Sequence, residues 1–232
     1  MNRPDGRKPD EARPVEAEVG IIEKADGSAR FKIGNTVAIA AVYGPTEVHP
    51  RHLENSEKAI IKCVYDMYSF SVPDRKRPGP DRRSIELSMV IRNAVLPSVM
   101  VEKYPGQAIH LYVSIVQADA GTRCAAISAA SMALADAGIA MRDLVASVAA
   151  GHILDNVVLD LNKDEEDIEG ATDIPMAYMP RTNKVTLLQL DGKISGDKLK
   201  KAVQMGIKGC KDIYEVQKKA LKDKYKNSKV VS

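Results

Sequence analysis

The chain has 232 residues, of which 44% are hydrophobic and 28% are charged, enough for one large or two small packed units. The net charge is only +3, so a binding site for a polyanion must come from local clustering of basic residues. Aromatic residues make up 4% of the chain and Trp is absent, which argues against nucleic-acid binding by stacking on many exposed rings.

Cysteine usage and the N-terminus indicate a cytoplasmic protein. Cys63, Cys124 and Cys210 lie far apart in apolar patterns, so we expect reduced core residues rather than a disulfide or zinc framework. The polar N-terminus lacks the apolar segment of a signal peptide, and no apolar run is long enough to span a membrane. We therefore expect no membrane partner.

The first part of the chain is predicted to be mostly β. Residues 1–13 are polar and are expected to form a flexible arm. Alternating apolar residues then predict strands over 15–21, 29–33, 37–43 and 60–70, with turns at Ala25-Asp26-Gly27 and Gly34-Asn35-Thr36. The polar segment 46–58 carries His49, Arg51 and His52, which are more typical of a solvated loop than of a metal site.

A basic segment rich in proline follows, over residues 73–83. A helix is predicted to begin near Arg82, which places Arg82 and Arg83 in its first turn, where the helix dipole disfavours cations. This conflict with the local rule indicates a bound anion, and the alternative is a solvated basic loop.

Residues 109–137 are predicted to form a strand, a tight glycine turn and an alanine-rich helix. At the turn, Gly121 allows close approach to the backbone, Thr122 adds a hydroxyl, and Arg123 adds a planar group suited to phosphate. We interpret this turn as a site for inorganic phosphate. The alternative is an ordinary helix start with a solvated arginine.

The second part of the chain repeats the order of strands followed by a helix. Strands are predicted over 145–153, 157–161, 173–179 and 185–190, with a turn at 155–156, an acidic loop over 162–170 and a long amphipathic helix over 197–224. We predict an α/β (α+β) protein with a first half over 14–142, a second half over 143–226 and a disordered tail over 227–232.

Asp167 and Asp173 stand out among the acidic residues. Asp173 opens an apolar strand, where a carboxylate is unfavourable unless it has a role, and Asp167 lies in the loop before that strand. Two neighbouring carboxylates can divide the roles of acid and metal ligand, whereas the alternative is a solvated acidic run. A phosphate attacking a phosphodiester needs cations to offset the repulsion and an acid to protonate the departing 3′-oxygen, and these residue types supply both.

In combination, these motifs resemble the RNase PH family, and within it the catalytic subunits of the archaeal exosome. The similarity covers nearly the whole chain, and its specificity lies in the order of motifs that are individually weak. The motifs are Arg3-Pro4-Asp5-Gly6-Arg7, Asp26-Gly27-Ser28-Ala29, Gly34-Asn35-Thr36, Arg83-Ser84-Ile85-Glu86-Leu87, Ala120-Gly121-Thr122-Arg123, and Glu166-Asp167 followed by Asp173.

The resemblance implies a fold of two βαβα-type halves, similar to domain 2 of ribosomal protein S5, assembled into a hexameric ring. It also implies processive 3′→5′ phosphorolysis of single-stranded RNA, which releases nucleoside diphosphates, with RNA tailing as the reverse reaction. The implied partners are a related non-catalytic subunit, in a trimer of heterodimers, and RNA-binding cap subunits.

By matching motif positions, Arg83, Gly121, Thr122 and Arg123 would hold the phosphate co-substrate. Arg51, Arg82 and Arg83 would contact RNA, Asp167 would be the general acid, and Asp173 would ligate Mg²⁺. Two alternatives remain at this point: a bacterial-type enzyme that trims tRNA 3′ ends, and a non-catalytic ring subunit that threads RNA. Ser84-Ile85 and Ile174-Pro175 differ from the bacterial pattern and disfavour the first.

Overall fold

The structure is a computed structural model that describes residues 3–154 and 156–227. Within these ranges the chain forms a mixed α/β fold with two sheets and four α-helices. The strands are β1 Val15–Val19, β2 Gly27–Ile33, β3 Thr36–Glu47, β4 Ile60–Met67, β5 Gln107–Gln117, β6 Ala146–Ile153, β7 Asn156–Leu159, β8 Thr172–Met179 and β9 Lys184–Leu188. The helices are α1 Arg82–Val95, α2 Thr122–Asp136, α3 Lys163–Glu166 and α4 Gly196–Asn227.

The larger sheet has five strands in the order β1-β2-β3-β5-β4. Neighbouring strands in this sheet are antiparallel except β4 and β5. These two run parallel because α1 returns the chain from one to the other. One face of the sheet is apolar and buried, with Phe31, Leu111 and Ile115 in the core. This sheet therefore aligns the C-terminal ends of β4 and β5 at one edge.

The smaller sheet has four antiparallel strands in the order β7-β6-β8-β9. Helix α4 packs along β6, β7 and β8 and also contacts β1 of the larger sheet. The close approach of α4 depends on glycine, because a Cβ on Gly206 would lie 2.2 Å from Met176 Sδ. The long helix thus joins the two halves.

Helix α2 is the central element of the core. Nearly all of its side chains are buried, and it contacts strands of both sheets. Its alanine-rich sequence permits this packing, since small side chains let strands approach the helix from several directions. The turn that begins α2 therefore lies where the two halves of the protein meet.

The structure differs from the sequence prediction in several element bounds, most clearly after β4 and in the acidic loop. The strand expected over 60–70 ends at Met67, after which the chain turns, with Ser71 N donating to Tyr68 O at 2.9 Å. The acidic loop expected over 162–170 contains the helix α3. Asn162 and Glu165 form a capping box at its start, each side chain accepting a hydrogen bond from the backbone N–H of the other.

Residues 3–13 do not form the free arm that we expected. Arg3 is buried, and its guanidinium forms two 2.7 Å hydrogen bonds with the Glu165 carboxylate. Arg13 is also buried and forms two 2.8 Å hydrogen bonds with Asp160. These ion pairs attach the segment to the second half of the chain. The polar segment that suggested flexibility is therefore fixed by the buried ion pairs of these two arginines.

Other expectations concern single features. Cys63, Cys124 and Cys210 are all free thiols, and Cys124 and Cys210 are buried. Residue 155 of the predicted 155–156 turn lies outside the described residues. So does the predicted tail, except residue 227, where α4 ends. In the described ranges no helix is both long and apolar enough to cross a membrane.

Candidate active site

The β5–α2 turn, residues 118–121, has an unusual backbone. Ala120 and Gly121 are both left-handed, with φ of 55° and 64°. Left-handed backbone is unfavourable for alanine, and the Thr36 hydroxyl holds it in place by donating to Ala120 O at 2.7 Å. The first N–H groups of α2 follow this turn and have no acceptor within the helix, so the turn presents donors and the positive end of the helix dipole.

A pocket of about 560 Å³ opens beside this turn and lies between the two halves. The turn contributes Ala120 and Gly121, and α2 contributes Thr122 and Arg123. The other charged residues that line it are Lys76, Arg83, Lys163, Glu166, Asp167, Asp173 and Asp191. Arg83, the β5–α2 turn, Asp167 and Asp173 therefore line one pocket, as expected, whereas Arg82 does not.

The basic side of the pocket comes from the first half of the chain. Arg83 lies in the first turn of α1, and its side chain forms no ion pair or hydrogen bond with the described residues. Arg123 is held in place by a 2.6 Å hydrogen bond from its guanidinium to Gln189 Oε1. Lys76, which the sequence analysis did not single out, pairs with Asp81 at 3.2 Å. Three cations thus surround the β5–α2 turn.

Arg82 and Arg51 lie outside this pocket. Arg82 is exposed beside Arg83 on α1, and Arg51 is exposed in the short 3₁₀ turn Arg51–Leu53. Neither residue lines the cavity. Their predicted contacts with RNA stay predictions.

The acidic side of the pocket comes from the second half. Asp167 directly follows α3, is exposed, and forms an ion pair with Lys163 one helical turn earlier. Asp173, at the start of β8, is shielded from solvent, and its backbone exchanges two hydrogen bonds with Asp191 at 2.8 and 2.9 Å. Of the two carboxylates singled out from the sequence, Asp167 is therefore exposed and Asp173 is partly buried.

Burial raises the pKa of Asp173 from 3.8 to about 7. The negative charges of Glu166 and Asp191 also raise this pKa, while the Arg123 guanidinium opposes the shift. Burial likewise raises the pKa of Glu166, against the effect of Lys163, Arg13, Arg83 and Arg123. The site thus concentrates negative charge that a cation could neutralise.

The donor set fits a hard cation. Asp173 Oδ1 is buried and has no hydrogen-bond partner among the described residues. Within those residues no group of three or more His, Cys, Asp or Glu side chains is arranged to hold a metal ion. Mg²⁺ does not require such a cage, because it is commonly held by one or two carboxylates together with water and substrate phosphates. Asp173 with Glu166 or Asp191 meets that requirement.

Sequence reasoning assigned no role to Lys76, Lys163, Glu166 and Asp191, although Glu166 stood in one of the motifs and Lys76 in the basic segment. Lys163 and Glu166 belong to α3, and the Asn162–Glu165 capping signal could have placed them on a helix beside Asp167. Asp191 lies opposite Asp173 because it continues the pairing of β8 with β9, so counting back from the turn between these strands could have paired the two residues.

The fold and the pocket define a class of protein in which two α/β halves enclose a site between a phosphate-type turn and a carboxylate pair. Residues 11–140 match the model for domain 1 of the 3′ exoribonuclease family, RNase PH, and residues 143–209 match the model for domain 2. The chain belongs to this family, which confirms the predicted resemblance.

Similar proteins include archaeal proteins named exosome complex component Rrp41. The Thermococcus onnurineus protein is 54% identical over 223 residues, covering 96% of this chain and 89% of that relative. The Methanopyrus kandleri protein is 53% identical, covering 96% and 93%, and the Nitrosopumilus maritimus protein is 49% identical, covering 98% and 93%. The crystal structure of rice (Oryza sativa) Rrp46 matches with a TM-score of 0.83 and 25% identity, covering 94% of this chain and all of that chain. The predicted fold is therefore confirmed.

Proposed function

We propose that the protein is a phosphorolytic 3′→5′ exoribonuclease that acts on single-stranded RNA as the catalytic subunit of an exosome ring. The observation that carries this proposal is the single pocket in which Arg83, Gly121, Thr122 and Arg123 face Asp167 and Asp173. A hydrolytic nuclease needs only water as its nucleophile. A site built to bind an anion beside the scissile phosphate instead suits inorganic phosphate as the attacking group.

In the proposed reaction, a phosphate oxygen attacks the phosphorus of the last phosphodiester, and the bond from phosphorus to the 3′-oxygen breaks. The product is a nucleoside diphosphate, and the shortened RNA keeps its 3′-hydroxyl. Arg83, Arg123 and the N–H groups at the start of α2 bind the incoming phosphate and offset the repulsion between the two anions. In this proposal the site accelerates the reaction by positioning the two reacting groups and by stabilising their negative charge.

Asp167 is proposed to give the proton that the departing 3′-oxygen requires. Its ion pair with Lys163 is an exposed contact between neighbouring helix turns, worth about 0.3–0.5 kcal/mol, so the carboxylate can leave it, take up a proton from the incoming dihydrogen phosphate and pass that proton to the departing oxygen. Asp173, with Glu166 or Asp191, would hold Mg²⁺ as the cofactor. The bound ion would neutralise charge on the reacting phosphates.

The names of the relatives support a place in an exosome ring, because the similarity spans nearly the full length of both chains. We further propose that the protein acts in the cytoplasm, in a hexamer with a related non-catalytic subunit and with RNA-binding cap subunits. The exposed Arg51 and Arg82 are proposed to bind the RNA backbone upstream of the reacting nucleotide.

The test is to incubate the assembled ring with 3′-end-labelled RNA and Mg²⁺, with and without phosphate, and to identify the released nucleotides. Labelled nucleoside diphosphates that appear only with phosphate are expected. Nucleoside monophosphates, or release that is indifferent to phosphate, would overturn the phosphorolytic mechanism. Full activity of the purified chain as a homohexamer on tRNA 3′ ends would instead favour the bacterial-type enzyme.

A further inference from the structure

The two sides of the pocket come from distant parts of the chain, yet the proposed chemistry requires a fixed distance between them. We infer that Asp119 is a positioning residue that connects the β5–α2 turn to α3 and so sets where Asp167 stands relative to the bound phosphate. This inference rests on the proposed function, because it concerns the geometry of the same reaction. Asp119 does not line the pocket and acts through the elements that it joins.

Asp119 belongs to the turn through its backbone. Its N–H donates to the Thr36 hydroxyl at 2.9 Å, and its carbonyl oxygen accepts a hydrogen bond from the Arg13 guanidinium. The same Thr36 hydroxyl donates to Ala120 O, so one side chain holds both residues that precede Gly121. These contacts do not involve the Asp119 carboxylate, and they keep the turn in place without it.

The Asp119 carboxylate contacts the other side of the pocket. Its Oδ1 accepts a 3.2 Å hydrogen bond from the backbone N–H of Lys163, the first residue of α3. Its Oδ2 accepts a 3.1 Å hydrogen bond from Asn35. Because α3 is only four residues long, a tether at its first residue fixes the position of Asp167 directly after its end.

A second connection runs parallel to the first through Arg13. Its guanidinium contacts the turn at Asp119 and also pairs with Asp160, which precedes α3. Arg13 is buried and packs against the turn so closely that a Cβ on Gly121 would lie 3.3 Å from its Nη2. The turn and α3 are therefore joined by two connections. Among the contacts described, only the Asp119 carboxylate forms a hydrogen bond from the turn directly to α3.

The test compares Asp119→Ala with wild type in steady-state phosphorolysis by the assembled ring. The variant keeps the backbone contacts that hold the turn and loses the tether to α3, together with the carboxylate's contacts with Asn35 and Arg13. We expect kcat to fall about 10–100-fold, because small displacements of a reacting group have effects of this size, while the KM for phosphate changes less than about twofold. Asp119→Asn, whose amide oxygen can still accept the Lys163 N–H, is expected to recover most of the rate.

A second pair of variants removes the same hydrogen bond from its donor. Lys163→Pro deletes the N–H at the first helical position, where proline is well tolerated, and Lys163→Ala deletes only the side chain. If the inference is correct, the kcat of Lys163→Pro is lower than that of Lys163→Ala. The factor is similar to the one that separates Asp119→Ala from wild type. This pair gives a result even if Asp119→Ala fails to assemble.

The control is Asp136→Asn, which disturbs a buried carboxylate bonded to Ser28 and Lys224, away from the pocket. It is expected to lower stability without changing kcat or KM. The double variant Asp119→Ala/Asp167→Asn is expected to be no slower than Asp167→Asn alone, because both act through the same proton transfer.

Two outcomes would overturn the inference in a ring whose wild type is phosphorolytic: an unchanged kcat, or a loss confined to the KM for phosphate. A wild-type ring with no phosphate-dependent activity would instead overturn the proposed function, so the two failures are distinguishable.

Discussion

The two sides of the pocket are built in opposite ways. The β5–α2 turn is fixed by hydrogen bonds from Thr36 and Arg13 and leads into the buried helix α2. The proposed acid on the carboxylate side, by contrast, is Asp167, which is exposed at the end of a four-residue helix. The difference suits the two proposed tasks. Donors that stabilise charge work best when they are fixed in advance, whereas a proton donor must approach a departing oxygen.

The largest expected effect tests the role of the exposed carboxylate. Asp167→Asn removes the proposed acid and keeps the size of the side chain, and general acid catalysis is typically worth about 10²–10⁴-fold in rate. We expect phosphorolysis by the ring to slow by that factor while RNA affinity, measured by fluorescence anisotropy, stays within about twofold. The matched control is Asp164→Asn, which changes an exposed carboxylate on the same helix that does not line the pocket.

An unchanged rate in Asp167→Asn with intact RNA binding would favour a subunit that threads RNA without catalysis. A rate loss shared equally by Asp164→Asn would show that the helix is sensitive to any loss of charge.

The second expected effect concerns the support beneath the carboxylate side. Arg3→Met leaves the Glu165 carboxylate buried without its principal partner, and breaking a buried pair of this kind costs about 3–5 kcal/mol. Equilibrium unfolding in guanidinium chloride measures the change. Lys32→Met, which breaks an exposed pair with Glu16, is the control and is expected to cost far less stability. Equal losses of unfolding free energy in the two variants would contradict the conclusion that the Arg3–Glu165 pair is a buried support.

The third expected effect separates two adjacent arginines on the phosphate side. Arg83→Ala removes a charge-assisted contact worth about 1.5–3 kcal/mol, so phosphate and RNA should both bind about 10–150-fold more weakly. Arg82→Ala is the matched control, because Arg82 lies outside the pocket and should affect RNA alone. The KM for phosphate and the Kd for RNA, measured on both variants, test this difference. Equal effects of both variants on the KM would show that the pocket alone does not define the phosphate site.

Much of the phosphate side could be predicted from sequence because its signals are local. The glycine turn, the strand before it and the alanine-rich helix after it occupy one continuous stretch. Asp81 and Ser84 form a capping box that marks the start of α1. Local rules govern such elements, so the predicted start of α1 agrees with the structure.

The carboxylate side was harder to predict because its contacts connect distant residues. Arg3 pairs with Glu165 and Arg13 with Asp160 across about 150 positions or more, and no window of sequence shows that an N-terminal arginine has a buried partner. The polar arm was therefore taken for a flexible one. Asp191 is an exception, because it meets Asp173 by continuing the local pairing of β8 with β9.

The smallest expected effect is a pH dependence at Asp173. In the folded protein its pKa is raised from 3.8 to about 7, so the folded state holds the proton more tightly than the unfolded state. The protein is then stabilised by this proton at low pH, and the stabilisation is lost as pH rises between about 4 and 7. Asp173→Asn, which cannot ionise, is expected to raise the melting temperature relative to wild type at pH 8 by more than at pH 5.

Added Mg²⁺ distinguishes the proposed roles of Asp167 and Asp173. At pH 8 the ion should raise the melting temperature of the wild type, because binding to the ionised Asp173 stabilises the folded state, and it should not do so in Asp173→Asn. Asp167→Asn is the control and should keep the Mg²⁺ response, since Asp167 is exposed and paired with Lys163. A response that disappears in Asp167→Asn but survives in Asp173→Asn would reverse the assignment of metal ligand and acid.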